Sequence, residues 1–170
     1  MWEKTKIGYH PYAFAGLLHP ELGCRPDELI CLKWTDISYR DELISIERQQ
    51  IEERNPKQSF RVAEYTKNEK GVSKGGRYVP LSSKALHILT MLKQRKEELG
   101  IQSEWLFTNK EGELLKKKGY FDFIHSLQKK YNTKASGSYT FRCGMSARME
   151  ATGIEPSERA AILGHSVETN

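Results

Sequence analysis

The stretch ELGCRPDELICLKWTDI (residues 21–37) decides the fold, because it predicts where an early buried helix begins. Pro26 occupies a first helical position, and the acidic residues after it favour a helix start. Apolar residues recur at helical spacing from Leu29 onward, so one face is expected to be buried. The stretch therefore predicts a helix that ends at Asp36, with Arg25 at its N-terminal mouth.

Arg25 has two interpretations at that position. A guanidinium next to the N–H groups of a helix start can bind an oxyanion together with them. Alternatively, Arg25 forms an ordinary ion pair with Glu28, three residues later, and contributes little to stability. The stretch by itself favours the ion pair.

A second arginine, Arg142, lies in SYTFRCGM (residues 138–145) among residues that look buried. Phe141 and Met145 are four residues apart, as two neighbours on one helix face would be. A permanently charged side chain at the edge of an apolar face needs a partner or a function. Arg142 is therefore a candidate functional residue, although the stretch alone does not name its ligand.

The composition is that of an ordinary globular chain. Of its 170 residues, 38% are hydrophobic and 29% are charged, which argues against disorder and fits one domain over residues 1–170. The net charge of +5 favours an anionic partner, nucleic acid first, without identifying one.

Cysteine usage and hydropathy indicate the compartment. The three cysteines include no CxxC pair, so neither a disulfide framework nor a zinc finger is expected. No apolar run approaches the roughly 20 residues of a membrane span, and the start lacks the apolar core of a signal peptide. We therefore expect a cytoplasmic protein.

Short alternating stretches in the middle of the chain predict a small antiparallel sheet between residues 42 and 81. They are ELISIERQQI (42–51), FRVAEYT (60–66) and GGRYVPL (75–81). Helical periodicity returns afterwards, near 83–99, 118–131, 140–152 and 156–163. The expected fold class is thus α+β, mainly helical, with a three-stranded antiparallel sheet inserted after the first helices.

Further basic residues could touch phosphates or simply face solvent. They stand in the polar turn TKNEKGVSKGGR (66–77) and in the run LLKKKGYF (114–121). His165 follows an apolar helix in ILGHS, where Gly164 is a helix stop. The basic candidates are Lys67, Lys70, Lys74, Arg77, Lys116, Lys117 and Lys118.

In order and spacing, these segments resemble the catalytic domain of tyrosine recombinases, the phage and transposon integrase family. Residues 21–37 resemble the first arginine box of that family. YTFRCGMSARMEATGIEPSERAAILGHS (139–166) resembles the second box, His-x-x-Arg followed by Leu-Gly-His, and EYTKNEKGVSKGGRYVPLS (64–82) resembles the lysine-bearing β-hairpin. The residues in step with the two boxes are Arg25, Glu28, Leu29, Leu32, Trp34, Asp36, Arg142, Gly153, Leu163, Gly164 and His165.

The resemblance implies a DNA strand-exchange enzyme of a phage or other mobile element. In this family a tyrosine attacks a DNA phosphate and forms a 3′-phosphotyrosyl bond, with no metal and no nucleotide cofactor. Negative charge that builds on the phosphate oxygens is then stabilised by fixed cations, a role that suits arginine. By the resemblance, Arg25 and Arg142 clamp the phosphate and His165 hydrogen-bonds it.

The resemblance also implies supporting roles. A lysine on the hairpin delivers a proton to the leaving 5′-oxygen. Lys67 is the first choice, and Lys70 and Lys74 stay open because the turn is longer than is common in the family. Glu28 is expected to support the helix of Arg25 rather than touch DNA.

Two departures from the family pattern bear on activity. Tyr139 replaces the histidine of His-x-x-Arg, and a neutral phenol can donate a hydrogen bond to phosphate but is a poor base. The nucleophilic tyrosine is expected a short distance after His165, beyond Asn170, and no tyrosine of the chain occupies that slot. We therefore expect a catalytic-domain fragment without an N-terminal DNA-clamping domain and without the tyrosine segment.

Double-stranded DNA is the expected partner, and no membrane association is expected. The fragment should bind DNA as a monomer without cleaving it unaided, whereas the intact parent is expected to form a tetramer on DNA. Three alternatives remain: a non-catalytic DNA-binding protein on the same scaffold, a type IB topoisomerase-like enzyme, and a basic domain of unrelated function.

Overall fold

Helices flank a region of short strands in the computed structural model, which describes residues 9–53, 60–65, 76–133 and 137–164. The helices are α1 (Pro11–Leu22), α2 (Pro26–Ile30), α3 (Ser83–Glu98), α4 (Lys117–Tyr131), α5 (Tyr139–Ala151) and α6 (Pro156–Leu163). The strands are β1 (Ile37–Ser38), β2 (Leu43–Ile46), β3 (Gln49–Glu52), β4 (Phe60–Ala63) and β5 (Arg77–Pro80). This order confirms the predicted α+β fold class, and α6 has its predicted bounds.

The strands form a three-stranded and a two-stranded antiparallel sheet. The larger sheet has the order β1-β2-β5, with Ile44 of β2 paired to Ile37 on one side and to Val79 on the other. The smaller sheet joins β3 to β4 and pairs Gln50 with Val62. Ile44 and Val79 are completely buried, so the larger sheet turns one face to the core.

The two sheets differ from the single sheet that the alternating pattern predicts. The segment 42–51 divides at Glu47 and Arg48, and its second half pairs with β4 instead of continuing beside β5. Arg48 donates from Nη1 to both carboxylate oxygens of Asp36, at 2.8 and 2.9 Å, and from Nε to Glu64 at 3.0 Å. This ion-pair group lies where the strand pairing changes.

The early helix is shorter than predicted. α2 ends at Ile30 instead of Asp36, and a 3₁₀ turn covers Trp34–Asp36. The backbone between them bonds to a distant segment: the Leu106 N–H donates to the Leu32 carbonyl at 2.9 Å, and the Trp34 N–H donates to the Glu104 carbonyl at 3.0 Å. These bridges take groups away from a helical ladder, which local periodicity cannot indicate.

One apolar core joins the helices to the larger sheet and sets the place of the loops around it. α1 packs against α3, α4 and α5, so the turn between α1 and α2 lies close to α5. α6 packs against α5 and against β5. The largest completely buried apolar side chains include Leu18, Leu22, Leu29, Ile30, Ile44, Ile46, Leu89, Leu92, Leu106 and Phe107.

Within the described ranges, no helix is both long enough and apolar enough to cross a membrane. Cys24 and Cys31 are buried free thiols and Cys143 is an exposed one.

Candidate functional site

Arg25 stands at the N-cap of α2, where Glu28 holds both its backbone and its side chain. The Arg25 N–H donates to Glu28 Oε2 at 2.8 Å, and Nη1 donates to Glu28 Oε1 at 3.0 Å. Nη2 reaches across to the carbonyl of Gly164, at 3.2 Å. Arg25 therefore forms the predicted pair with Glu28, and it also contacts the end of α6.

Glu28 is completely buried and accepts hydrogen bonds from a second arginine, Arg77. Arg77 donates from Nη2 to Glu28 Oε2 at 2.5 Å and from Nη1 to Glu28 Oε1 at 3.2 Å. Burial would raise the pKa of Glu28, but the hydrogen bonds and charges of Arg77 and Arg25 outweigh burial, so its pKa is lowered. Glu28 is thus a buried carboxylate held ionised by two guanidiniums.

Arg77 connects three parts of the fold. It is the first residue of β5, it bonds Glu28 on α2, and its Nε donates to the carbonyl of Ile162 on α6 at 3.0 Å. Only 12% of its side chain is exposed. The sequence suggested a DNA contact for Arg77; the structure places its guanidinium among protein acceptors.

Arg142 is 6% exposed and lies on the buried face of α5. Its Nη1 donates to the carbonyl of Gly23, in the turn before Arg25, at 3.1 Å. Burial and the nearby charges of Arg25 and Arg77 lower the pKa of Arg142. Among the described residues no carboxylate forms an ion pair with Arg142.

The cluster formed by Arg25, Arg77, Arg142 and Glu28 carries more positive than negative charge. Arg25 and Arg77 share the Glu28 carboxylate and Arg142 adds a third guanidinium, in surroundings where water screens charge poorly. Such a cluster attracts an oxyanion, because planar guanidiniums match the oxygens of a phosphate or carboxylate. We call this set the arginine cluster.

Tyr139 is the first residue of α5 and is 64% exposed. It lies three residues, nearly one helical turn, before Arg142 on the same helix, so both project from neighbouring positions. Its exposure leaves the phenol accessible to a ligand.

The remaining predicted residues divide into two groups. Lys117 lies 3.7 Å from Glu52 and Lys118 lies 2.8 Å from Asp122, while Lys116 is the exposed N-cap residue of α4. Lys67, Lys70, Lys74 and His165 fall outside the described residues. In the described part of the chain, no cluster of three or more His, Cys, Asp or Glu residues could hold a metal ion.

Sequence reasoning missed the packing beneath the cluster. His19 is completely buried on α1, where its Nδ1 lies 2.7 Å from the Tyr120 hydroxyl and its Nε2 lies 2.9 Å from the Cys24 carbonyl. A histidine in the apolar segment PYAFAGLLHPEL was a possible signal, because a buried imidazole requires polar partners.

Solved structures similar to this fold include integrases and recombinases. The Tn1549 transposon integrase, in complex with circular intermediate DNA, matches with a TM-score of 0.78 and 20% identity over 98% of this chain and 56% of that chain. XerA recombinase matches with a TM-score of 0.69 and 18% identity, over 94% of this chain and 51% of that chain. A lambda integrase dimer bound to a COC′ core site matches with a TM-score of 0.63 and 19% identity, over 96% and 51%.

The TM-scores show a shared fold and, at these low identities, no more than that; the chain spans about half the length of each of these three solved structures. No curated protein matches the chain by sequence. The model of the phage integrase family, however, matches residues 3–169. Because that match covers nearly the whole sequence and the fold agrees with it, the chain belongs to the phage integrase family of tyrosine recombinases.

Proposed function

We propose that this chain is the catalytic domain of a site-specific DNA recombinase that cleaves and rejoins DNA through a 3′-phosphotyrosyl intermediate. The observation that carries the proposal is the arginine cluster in a member of the phage integrase family. The Tn1549 and lambda integrase structures are complexes with DNA, and the net charge of this chain is +5. Double-stranded DNA is accordingly the proposed partner.

Arg25 and Arg142 would act on the scissile phosphate. Attack on a phosphodiester increases negative charge on its non-bridging oxygens, and positive groups that are already fixed stabilise that charge without rearrangement. Arg142 is fixed by the Gly23 carbonyl, and Arg25 by Glu28 and the Gly164 carbonyl. The guanidiniums are thereby oriented before a ligand arrives.

Other groups complete the proposed chemistry. Tyr139 would donate a hydrogen bond to the phosphate from the exposed start of α5. Lys67, with Lys70 and Lys74 as alternatives, would protonate the leaving 5′-oxygen, and His165 would hydrogen-bond the phosphate. The nucleophilic tyrosine falls beyond Asn170 in the family pattern, so cleavage is proposed for the full-length parent.

DNA binding by this chain is tested by fluorescence anisotropy with a duplex oligonucleotide of mixed sequence. We expect the logarithm of the dissociation constant to rise linearly with the logarithm of the salt concentration. Arg142→Ala should weaken binding by about tenfold or more, because hydrogen bonds to charged groups contribute about 1.5–3 kcal/mol. Arg95→Ala is the matched control, because Arg95 pairs with Glu98 on α3, and this substitution should leave DNA binding unchanged.

Recombination is tested in the full-length parent, on its own recombination sites. Arg25→Ala and Arg142→Ala should each abolish recombination and the covalent tyrosine–DNA adduct. Retained recombination in either variant would refute the role of that arginine. If this chain behaves as a fragment of a tetrameric parent, it should elute as a monomer in gel filtration.

A second candidate function is a non-catalytic DNA-binding protein, favoured by Tyr139 in the place of the family's histidine. That function predicts the same salt-dependent binding, but no covalent adduct in the full-length parent. Detection of the adduct would exclude it.

A further inference from the structure

Three backbone carbonyl groups in the last turn of α1 and in the turn that follows it accept hydrogen bonds from side chains. Arg148 donates to the carbonyl of Pro20, Arg142 to that of Gly23, and His19 to that of Cys24. Helix ends leave carbonyl groups without helical partners, and here side chains from α5 and from α1 itself supply them. This turn leads directly to Arg25.

The hydrogen-bond partners of His19 define its tautomer. A carbonyl oxygen only accepts, so the Nε2 that lies 2.9 Å from the Cys24 carbonyl must carry the hydrogen. In the neutral ring Nδ1 is then an acceptor, and the Tyr120 hydroxyl donates to it at 2.7 Å. Tyr120, His19 and the Cys24 carbonyl thus form a directed chain of two hydrogen bonds.

The chain of hydrogen bonds is shielded from water. His19, Tyr120 and Cys24 are each 0% exposed. Burial, the largest effect, lowers the pKa of His19 to about 4 and keeps the ring neutral near pH 7. Phe141, the residue before Arg142, packs edge-on against the imidazole with the ring centres 5.1 Å apart.

Both polar atoms of the peptide group between Cys24 and Arg25 form hydrogen bonds with side chains. Its carbonyl oxygen accepts from His19, and its N–H donates to Glu28 at 2.8 Å. The plane of this peptide helps set the direction in which the Arg25 side chain leaves the backbone. Both hydrogen bonds are made by completely buried side chains, so water does not compete for either of them.

We propose that His19 is a positioning residue for the arginine cluster: with Tyr120 it fixes the Cys24–Arg25 peptide and thereby the orientation of Arg25. This inference rests on the proposed function only for its consequence, phosphate binding. The geometric claim concerns the turn itself and is measured separately.

The geometric claim is tested by NMR on the unaltered chain and by amide hydrogen exchange. Nitrogen shifts should show the tautomer with hydrogen on Nε2, and hydrogen on Nδ1 would overturn the proposal. His19→Leu and Tyr120→Phe should speed exchange of the Arg25 amide at least tenfold, while the Leu89 amide in α3 changes less. Equal acceleration at both amides would show a merely global loss of stability and would also overturn it.

Two variants serve as controls for folding. His19→Gln retains an amide donor that can reach the Cys24 carbonyl, so it should restore most of the Arg25 protection. Tyr12→Phe removes a hydroxyl that donates to the Lys116 carbonyl, away from the turn, and should leave the Arg25 amide unchanged. If His19→Leu does not fold, the proposal is tested by comparing the exchange rate of the Arg25 amide in Tyr120→Phe with that in Tyr12→Phe.

The effect of this positioning on phosphate binding is measured as affinity for the mixed-sequence DNA duplex. Tyr120→Phe should weaken binding by roughly three- to tenfold, corresponding to a lost hydrogen bond of about 1 kcal/mol, and Tyr12→Phe should not. Unchanged affinity in Tyr120→Phe, with faster Arg25 exchange, would refute the positioning role in binding. If the unaltered chain binds no DNA, the proposed function fails, and the NMR and exchange results alone decide whether His19 fixes the turn.

Discussion

Glu28 is the residue on which the arginine cluster depends. Its buried carboxylate neutralises part of the charge of Arg25 and Arg77, which both donate hydrogen bonds to it. Glu28→Gln leaves the guanidiniums facing an amide that can accept at one atom only. We expect the free energy of unfolding, measured in urea, to fall by about 3 kcal/mol or more, as for other broken buried ion pairs.

The control for Glu28→Gln is the same substitution in an exposed ion pair. Glu104 is 58% exposed and lies 2.9 Å from the Lys33 ammonium. Glu104→Gln should lower stability by less than about 1 kcal/mol. Equal losses in the two variants would show that the buried carboxylate has no special role.

Arg77→Lys separates an internal role from a DNA contact. Lysine keeps the charge but cannot donate to both Glu28 oxygens and to the Ile162 carbonyl as the guanidinium does. We expect a loss of about 2 kcal/mol in unfolding free energy, in the range for removed hydrogen bonds to charged groups. If Arg77 instead contacts DNA directly, stability should stay unchanged while duplex affinity falls.

The backbone conformation and close packing of the turn between α1 and α2 favour glycine at position 23. Gly23 has φ +58°, and a Cβ there would lie 2.6 Å from Met145 Sδ and 2.9 Å from Leu163 Cδ2. Gly23→Ala should therefore strain the backbone and push α5 and α6 from the turn. We expect a loss of roughly 3 kcal/mol, measured by thermal unfolding, since left-handed strain and overpacking add.

Gly144 provides the matched control for Gly23→Ala. It lies within α5, and a Cβ there would meet no atom within 4 Å. Gly144→Ala should stabilise the protein by about 0.5–1 kcal/mol through lower entropy of the unfolded chain and better helix propensity. A stable Gly23→Ala variant would mean that the turn can rearrange.

Elements with strong local periodicity were predictable, and contacts between distant segments were not. α6 and the α+β class follow from local patterns. The early end of α2 does not, because the bonds that replace its helical ladder come from residues 104–106. Arg25 was identifiable at the mouth of a predicted helix and Arg142 next to an apolar face, whereas the contacts of Arg77 with α2 and α6 depend on tertiary structure.

At the scale of the whole molecule, buried titratable groups predict how stability depends on pH. His19 has a pKa of about 4 in the folded protein and an ordinary value of 6.5. The unfolded chain therefore binds a proton more readily, and the contribution of neutral His19 is fully present above pH 6.5 and lost as pH falls towards 4. The lowered pKa of Glu28 acts in the same direction but only below its ordinary value of 4.5.

The pH range in which His19 affects stability can be separated from that of Glu28 by urea unfolding at several pH values between 7 and 4.5. We expect the free energy of unfolding to decline below pH 6.5 with a slope that approaches about 1.4 kcal/mol per pH unit, the value for one proton. His19→Gln should remove this slope, because the buried imidazole at position 19 is then absent. His87→Gln, which alters an exposed histidine of α3, should retain it. A flat profile in the unaltered chain, or the same slope after His19→Gln, would mean that the imidazole beneath Arg25 is accessible to protons in the folded state and is not the dry, neutral support inferred from its contacts.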